Sequence, residues 1–171
     1  MVYNFRKLEK EVGMRKFMSI AILAVFSIVI SPVLIGSSIP QACIRIPLKG
    51  LEGKTHTLEE FRGKKTILIF WRSTCPHCRA ELPRIKELKE ELGNYVNIVA
   101  VSLDTNDQYF ENYIEELKPN FEILRSLELR PCIGGIRGVP TIFVLDEELN
   151  IIEKFEGTTP NDKIKAALNL K

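Results

Sequence analysis

A mixed α/β sheet with helices on both faces, preceded by a membrane-spanning helix, is the fold that three features of this sequence predict. Three apolar runs, Lys65 to Trp71, Val96 to Leu103 and Val139 to Leu145, have the length and continuity of strands covered on both faces. Helical stripes separate them, with Glu81, Leu82, Ile85, Leu88 and Leu92 on one helix and Tyr109 to Leu117 on a second. The third feature is Phe17 to Ile35, nineteen consecutive residues without a charge, which is long enough to cross a bilayer.

From the N-terminus, Arg6, Lys7, Lys10, Arg15 and Lys16 precede the uncharged run, whereas no cation follows it before Arg45. The positive-inside rule then puts everything after about residue 36 outside the cytoplasm. A cleaved signal would have a shorter apolar region and two small residues at its site, and Pro40-Gln41-Ala42 has proline at the first of them. An uncleaved signal-anchor is expected over 17–36, after a short cytoplasmic N-terminus at 1–16 that starts at Met1 or Met14. A tether at 37–43 and one folded domain at 44–171 complete the chain.

Ile44 to Leu58 reads as a hairpin with Gly53 in its turn. The strand Lys65 to Trp71 runs into a helix that opens with Pro76, a first-turn residue. Pro83 falls inside that helix and should kink it. Ile123 to Leu129 is a short further element, Ile151 to Phe155 pairs with the Val139 strand across Glu147-Glu148-Leu149-Asn150, and Asp162 to Leu168 closes with a helix. A body of this size buries about two-thirds of its unfolded surface and needs no staple, so its cysteines invite a chemical reading. The net charge is +2, from 24 Lys and Arg against 22 Asp and Glu, with no basic block. No nucleic-acid footprint follows.

The chemistry lies in Cys75-Pro76-His77-Cys78. Cys75 stands where strand gives way to helix, so unpaired backbone N–H groups and the helix dipole favour its thiolate, the form that attacks disulfides. Cys78, one helical turn on, is placed to attack a mixed disulfide on Cys75 and release its partner. A zinc site would need four ligands, and Cys43, Cys132 and His56 form no second ligand pair, so no metal is expected.

Phe70-Trp71-Arg72-Ser73-Thr74-Cys75-Pro76-His77-Cys78-Arg79-Ala80-Glu81-Leu82-Pro83, with Gly138-Val139-Pro140-Thr141-Ile142-Phe143-Val144-Leu145-Asp146, resembles the membrane-anchored thioredoxin-like proteins of the TlpA and ResA type over about residues 45–170. The resemblance implies a thioredoxin fold with a helix-and-strand insertion over Asn106 to Glu122. It implies protein thiol–disulfide oxidoreductase activity without a cofactor, on protein partners bearing thiols or disulfides, with a membrane redox partner recycling the pair. Pro140 would be a cis-proline facing the cysteines, and the backbone of Val139 would pair with an extended substrate, with Trp71 and Pro76 beside them. Glu81 would match the family's active-site glutamate, which influences cysteine protonation; the alternative is a solvated helix-face carboxylate.

Three departures are visible. Thioredoxin's buried aspartate six residues before the first cysteine is Ile69 here, leaving proton handling to Glu81, His77 or water. The Pro-His spacer and Val139 before the proline both resemble DsbA, a periplasmic oxidant. The body thus resembles reductants and the centre an oxidant. Substrates range from apocytochrome c or metal-site thiols awaiting reduction to secreted proteins awaiting oxidation.

A peroxiredoxin would carry proline and threonine or serine where Leu68 and Arg72 stand, and a copper chaperone on this fold would space its cysteines by three residues and carry a histidine late in the chain, where none follows His77. Cys43 lacks a lipobox. Cys43 and Cys132 either pair across a loop of about 90 residues, stay as separate buried thiols, or relay electrons to the motif. His56 reads as a surface histidine.

Overall fold

The computed structural model describes residues 38–169. The expected cytoplasmic segment and signal-anchor lie outside the described residues, and among those described no helix is long and apolar enough to cross a membrane.

A single helical turn, α1 (Gln41–Ile44), leads into the hairpin β1 (Leu48–Gly50) and β2 (Thr55–His56), and a 3-10 turn follows at Leu58–Phe61. The core then runs β3 (Thr66–Trp71), α2 (Pro76–Leu92), β4 (Asn97–Ser102), α3 (Asp107–Leu117), β5 (Glu122–Arg125), α4 (Leu129–Ile133), β6 (Thr141–Leu145), β7 (Ile151–Glu156) and α5 (Asn161–Leu168). The strands form one sheet in the order β2-β1-β5-β4-β3-β6-β7. β3, β4 and β5 are mutually parallel, and β6, β7 and the N-terminal hairpin join antiparallel.

All six residues of β3 are buried, because its alternating side chains enter two different cores. Ile67, Ile69 and Trp71 point to the face covered by α2, α3 and α5, through Leu82, Ile85, Leu88, Phe110, Tyr113 and Ile164. Leu68 and Phe70 point to the opposite face, against Ile44, Leu48, Leu58, Leu129 and Phe143. α2 continues through Pro83, whose missing N–H costs one helical bond, and stops at Gly93, where φ is 55°. Asn106 caps α3 by accepting from Tyr109 N at 3.0 Å.

Three elements differ from the sequence reading. Ile44 belongs to α1 and Leu58 to the 3-10 turn, so the hairpin is confined to Leu48–His56. The stretch read as one element from Ile123 to Leu129 divides into the strand β5 and the separate helix α4, because Ser126 N donates to Ser102 O at 3.3 Å at the end of the ladder while Ser126 Oγ accepts from Leu129 N at 3.2 Å and caps the next turn. The stretch read as a tether is fastened to the domain at three points: Ser38 bridges to Asn150, and Ile39 and Cys43 are buried.

Cys43 and Cys132 form a disulfide that joins α1 to α4 across 89 residues of sequence. Closing so long a loop restricts the unfolded chain, so replacing both cysteines by alanine is expected to lower the unfolding free energy by about 2–4 kcal/mol. Urea unfolding of the two proteins measures this, and a change below about 0.5 kcal/mol would show that the bridge adds nothing to the packing around it.

Candidate active site

β3 ends at Trp71, paired with Ser102, and the chain turns through Arg72-Ser73-Thr74 before α2 begins. Cys75 N donates to Arg72 O at 3.2 Å, closing that turn. Cys75 is the extended N-cap residue of α2 and Pro76 its first helical residue, so the Cys75 side chain stands at the positive end of the helix dipole. Its partly exposed sulfur donates to Val139 O at 3.4 Å. Cys78 is free as well and has no exposed surface. Burial pushes the Cys78 thiol well above its ordinary range; an N–H from Arg72 opposes this, while its hydrogen bond to Cys75 and the charges of Cys75 and Asp104 push further the same way. The pair is therefore asymmetric, one sulfur open to a partner and one sheltered behind it.

The peptide bond Val139–Pro140 is cis, as the resemblance implied. Three contacts hold this loop: Thr141 Oγ1 donates to Gly138 O at 2.7 Å, Gly157 N to Pro140 O at 2.8 Å, and Cys75 Sγ to Val139 O. Pro76 and His77 are exposed on the first turn of α2. Trp71 does not join them at the surface. It is fully buried, with its ring 6.0 Å from Phe110 and 5.6 Å from Tyr113, and supports the turn from beneath. β3 carries it inward because Trp71 shares the face of Ile67 and Ile69.

Glu81 is fully buried, which removes the solvated alternative. Its carboxylate accepts from Thr159 N at 3.2 Å and lies 3.4 Å from Arg84 Nη1. Arg84 in turn donates to Thr159 O at 3.0 Å, so α2 clamps the segment whose Gly157 N–H holds Pro140. Burial holds the Glu81 carboxyl above the usual carboxylate range, against the opposing pull of Thr159 N–H and Arg84.

Sequence reasoning missed Asp104. Ile69 leaves no carboxylate on β3, but Asp104, 8% exposed, supplies one from the end of β4. Ser73 N donates to it at 2.9 Å, Ser73 Oγ at 2.9 Å and Ser102 Oγ at 2.7 Å. The signal was the register: Trp71 opposite Ser102 carries Ser73 to Asp104 two residues later. His56 stays at the hairpin, its Nδ1 2.9 Å from Glu60 Oε2. Among the described residues no group of three or more His, Cys, Asp or Glu is arranged to hold a metal ion.

A carboxyl whose folded-state pKa is raised stabilises the fold below its unfolded value, and that contribution is lost as pH rises through the folded one. Glu81→Gln keeps an acceptor for Thr159 N–H and cannot ionise. The stability of this variant relative to the native protein is therefore expected to rise with pH from about 4.5 upward, by urea unfolding across pH 4 to 8. A flat or falling difference would refute the assignment.

The chain matches the Redoxin family profile over residues 34–169. It is 28% identical over 126 residues to the thioredoxin-like protein YneN of Bacillus subtilis, covering 72% of this chain and 74% of that one. With the thiol-disulfide oxidoreductase ResA of Halalkalibacterium halodurans it shares 26% identity over 166 residues, covering 91% and 94%. The crystal structure of StoA from Bacillus subtilis aligns at 30% identity with a TM-score of 0.62, covering 71% of this chain and 94% of that one. A match that spans the redox pair, the cis-proline loop and all seven strands shows that this chain belongs to the Redoxin family, among its thiol–disulfide oxidoreductases.

Proposed function

We propose that this thiol–disulfide oxidoreductase works outside the cytoplasm, held by the apolar segment 17–36, with Cys75 as attacking thiol and Cys78 as resolving thiol. The asymmetry of the pair carries this reading: Cys75 sits partly exposed at a helix start, while Cys78 is buried and held protonated. The Cys75 thiolate attacks one sulfur of a partner disulfide, forming the mixed disulfide as the partner's S–S bond breaks and its second sulfur leaves as a thiolate that takes a proton. Cys78 then loses its proton and attacks Cys75 Sγ, releasing the first partner sulfur. Two electrons and two protons have passed to the partner, and Cys75–Cys78 is a disulfide. The reverse sequence oxidises a partner dithiol.

The protein partners include thiols awaiting cofactor loading, as on apocytochrome c, and secreted chains awaiting disulfides; a membrane redox protein restores the pair. The apolar run with cations on one side only supports the anchored, extracytoplasmic placement.

Cys78→Ser is expected to accumulate mixed disulfides through Cys75 in cells, visible on non-reducing gels of alkaline-washed membranes. Cys75→Ser should abolish them. Adducts surviving in the doubly substituted protein would sink the assignment of roles, and their recovery in the soluble fraction would sink the anchor.

His77 tunes the redox poise. A cationic imidazole on the first turn of α2 stabilises the thiolate and so the reduced pair, making the disulfide a stronger oxidant. The midpoint is expected to lie between those of thioredoxin, about −270 mV, and DsbA, about −120 mV. His77→Pro should lower it by roughly 20 to 40 mV in a glutathione equilibrium, since one imidazole in a wet site is worth about 1–2 kcal/mol. A potential that rises instead would overturn this role.

A further inference from the structure

The space beside the turn that precedes Cys75 carries more positive than negative charge. A cavity of about 480 Å³ is lined by Arg72, Leu103, Thr105, Leu127, Arg130 and Ile136, among others, and none of its lining residues is acidic. A second depression of about 200 Å³ shares Arg72, Leu103 and Thr105 and continues to Tyr109 and to Thr74, the residue before the attacking cysteine. The two share three lining residues and together run from Thr74, next to Cys75, to Ile136, two residues before Gly138 of the cis-proline loop.

Its walls combine two chemistries. Leu127 is 54% exposed and Tyr109 59%, two of the few large apolar side chains on the described surface that are open to water. Arg72 forms no ion pair among the described residues, and neither does Arg130. Arg130 gives Nε and Nη2 to Ile136 O at 3.4 and 3.2 Å, which fixes the guanidinium at the groove with a carbonyl as its partner and its positive charge uncompensated. Asp104 lines the second depression with its carboxylate oxygens engaged by Ser73 and Ser102, which leaves the two arginines in excess along the groove. A groove with two uncompensated arginines and exposed apolar walls complements carboxylates interspersed with aliphatic side chains.

We infer that this groove receives an extended segment of the partner protein in which acidic and aliphatic residues flank the cysteine that exchanges with Cys75. The inference rests on the proposed disulfide exchange and names the partner chemistry that the same site selects. Carboxylates pair with Arg72 and Arg130, an aliphatic side chain covers Leu127, and the partner sulfur is thereby delivered along Thr74 to Cys75. Charge complementarity of this kind acts mainly on the rate of encounter and falls with added salt.

The test uses the full chain carrying Cys78→Ser, reduced, in neutral detergent. Two synthetic peptides of equal length each present one cysteine as a mixed disulfide with thionitrobenzoate, flanked either by Glu and Leu or by Lys and Leu. Attack by Cys75 forms the Cys75–peptide disulfide and breaks the peptide–thionitrobenzoate bond; the coloured thiolate leaves with the electron pair and the Cys75 proton passes to solvent. Its absorbance gives the rate. The acidic peptide should react about tenfold faster at low salt, and the ratio should fall toward one in about 0.5 M salt. Arg72→Glu should bring the ratio to one or below, whereas Leu127→Ser should slow both peptides alike.

Equal rates for the two peptides, or a ratio indifferent to salt in the unsubstituted groove, would overturn the inference while leaving disulfide exchange intact. Reaction of neither peptide would overturn the proposed exchange and this inference with it. The salt series needs no groove substitution, so a variant that fails to fold cannot rescue the idea.

Discussion

Parallel pairing of β3 with β4, from Thr66 opposite Asn97 to Trp71 opposite Ser102, is the constraint on which the site depends. It brings two strand ends to one edge of the sheet, where the chain leaves β3 for α2 and β4 for α3. Continued two residues past the ladder, the same register sets Ser73 beside Asp104. That contact secures the turn whose Arg72 carbonyl receives Cys75 N–H and whose Arg72 N–H faces Cys78. A slip of one residue would turn Ile67, Ile69 and Trp71 away from α2 and exchange the two cores, so the hydrophobic pattern itself enforces the geometry of the turn.

Given that edge, burial divides the labour of the two thiols. A thiolate in an apolar setting is expensive, and Cys78 lies on the buried face of α2 with Trp71, Leu82 and Ala100 in the same cluster. The Asp104 carboxylate adds a like-charge penalty to ionising Cys78 while its hydrogen bonds serve Ser73. One group thus does two things at once, shaping the turn and adding to the burial that disfavours ionisation of the second thiol. Glu81, one turn on along the buried face of α2, works in a different way, since its partners Thr159 and Arg84 belong to the clamp on the cis-proline loop.

What could be read from the sequence was what local pattern encodes. The strand Thr66–Trp71, the helix after Pro76, the terminal hairpin and the Cys75–Cys78 motif are all carried by runs of neighbouring residues, and they stand where the sequence put them. The features that were missed depend on partners distant in the chain. Trp71 reads as an active-site aromatic until the sheet shows which way its face points. Asp104 reads as a loop aspartate until the register joins it to Ser73, 31 residues away. Glu81 is indistinguishable from the exposed glutamates of α2 until Thr159, 78 residues on, closes over it. Cys43 and Cys132 admitted three readings because nothing near either one selects among them, and α4 was concealed by a helix of only five residues.

α4 connects these parts. The Cys43–Cys132 bridge fastens it from one side to α1, and Leu129 anchors it in the core. On the other side Arg130 holds Ile136 O, beyond which lie Gly138 and Val139. The backbone facing Cys75 is therefore fixed at both ends, by α4 and Arg130 before it and by Thr141 and Gly157 after it. A partner segment meeting a loop already ordered gives up only its own conformational freedom, which matters for an enzyme that must bind briefly and let go. Rigid walls also make recognition depend on side-chain chemistry rather than on refolding of the groove. If partners dock as proposed, discrimination between them falls to the few groups that face outward, Arg72, Leu127 and Tyr109, while the buried groups fix the reaction they share.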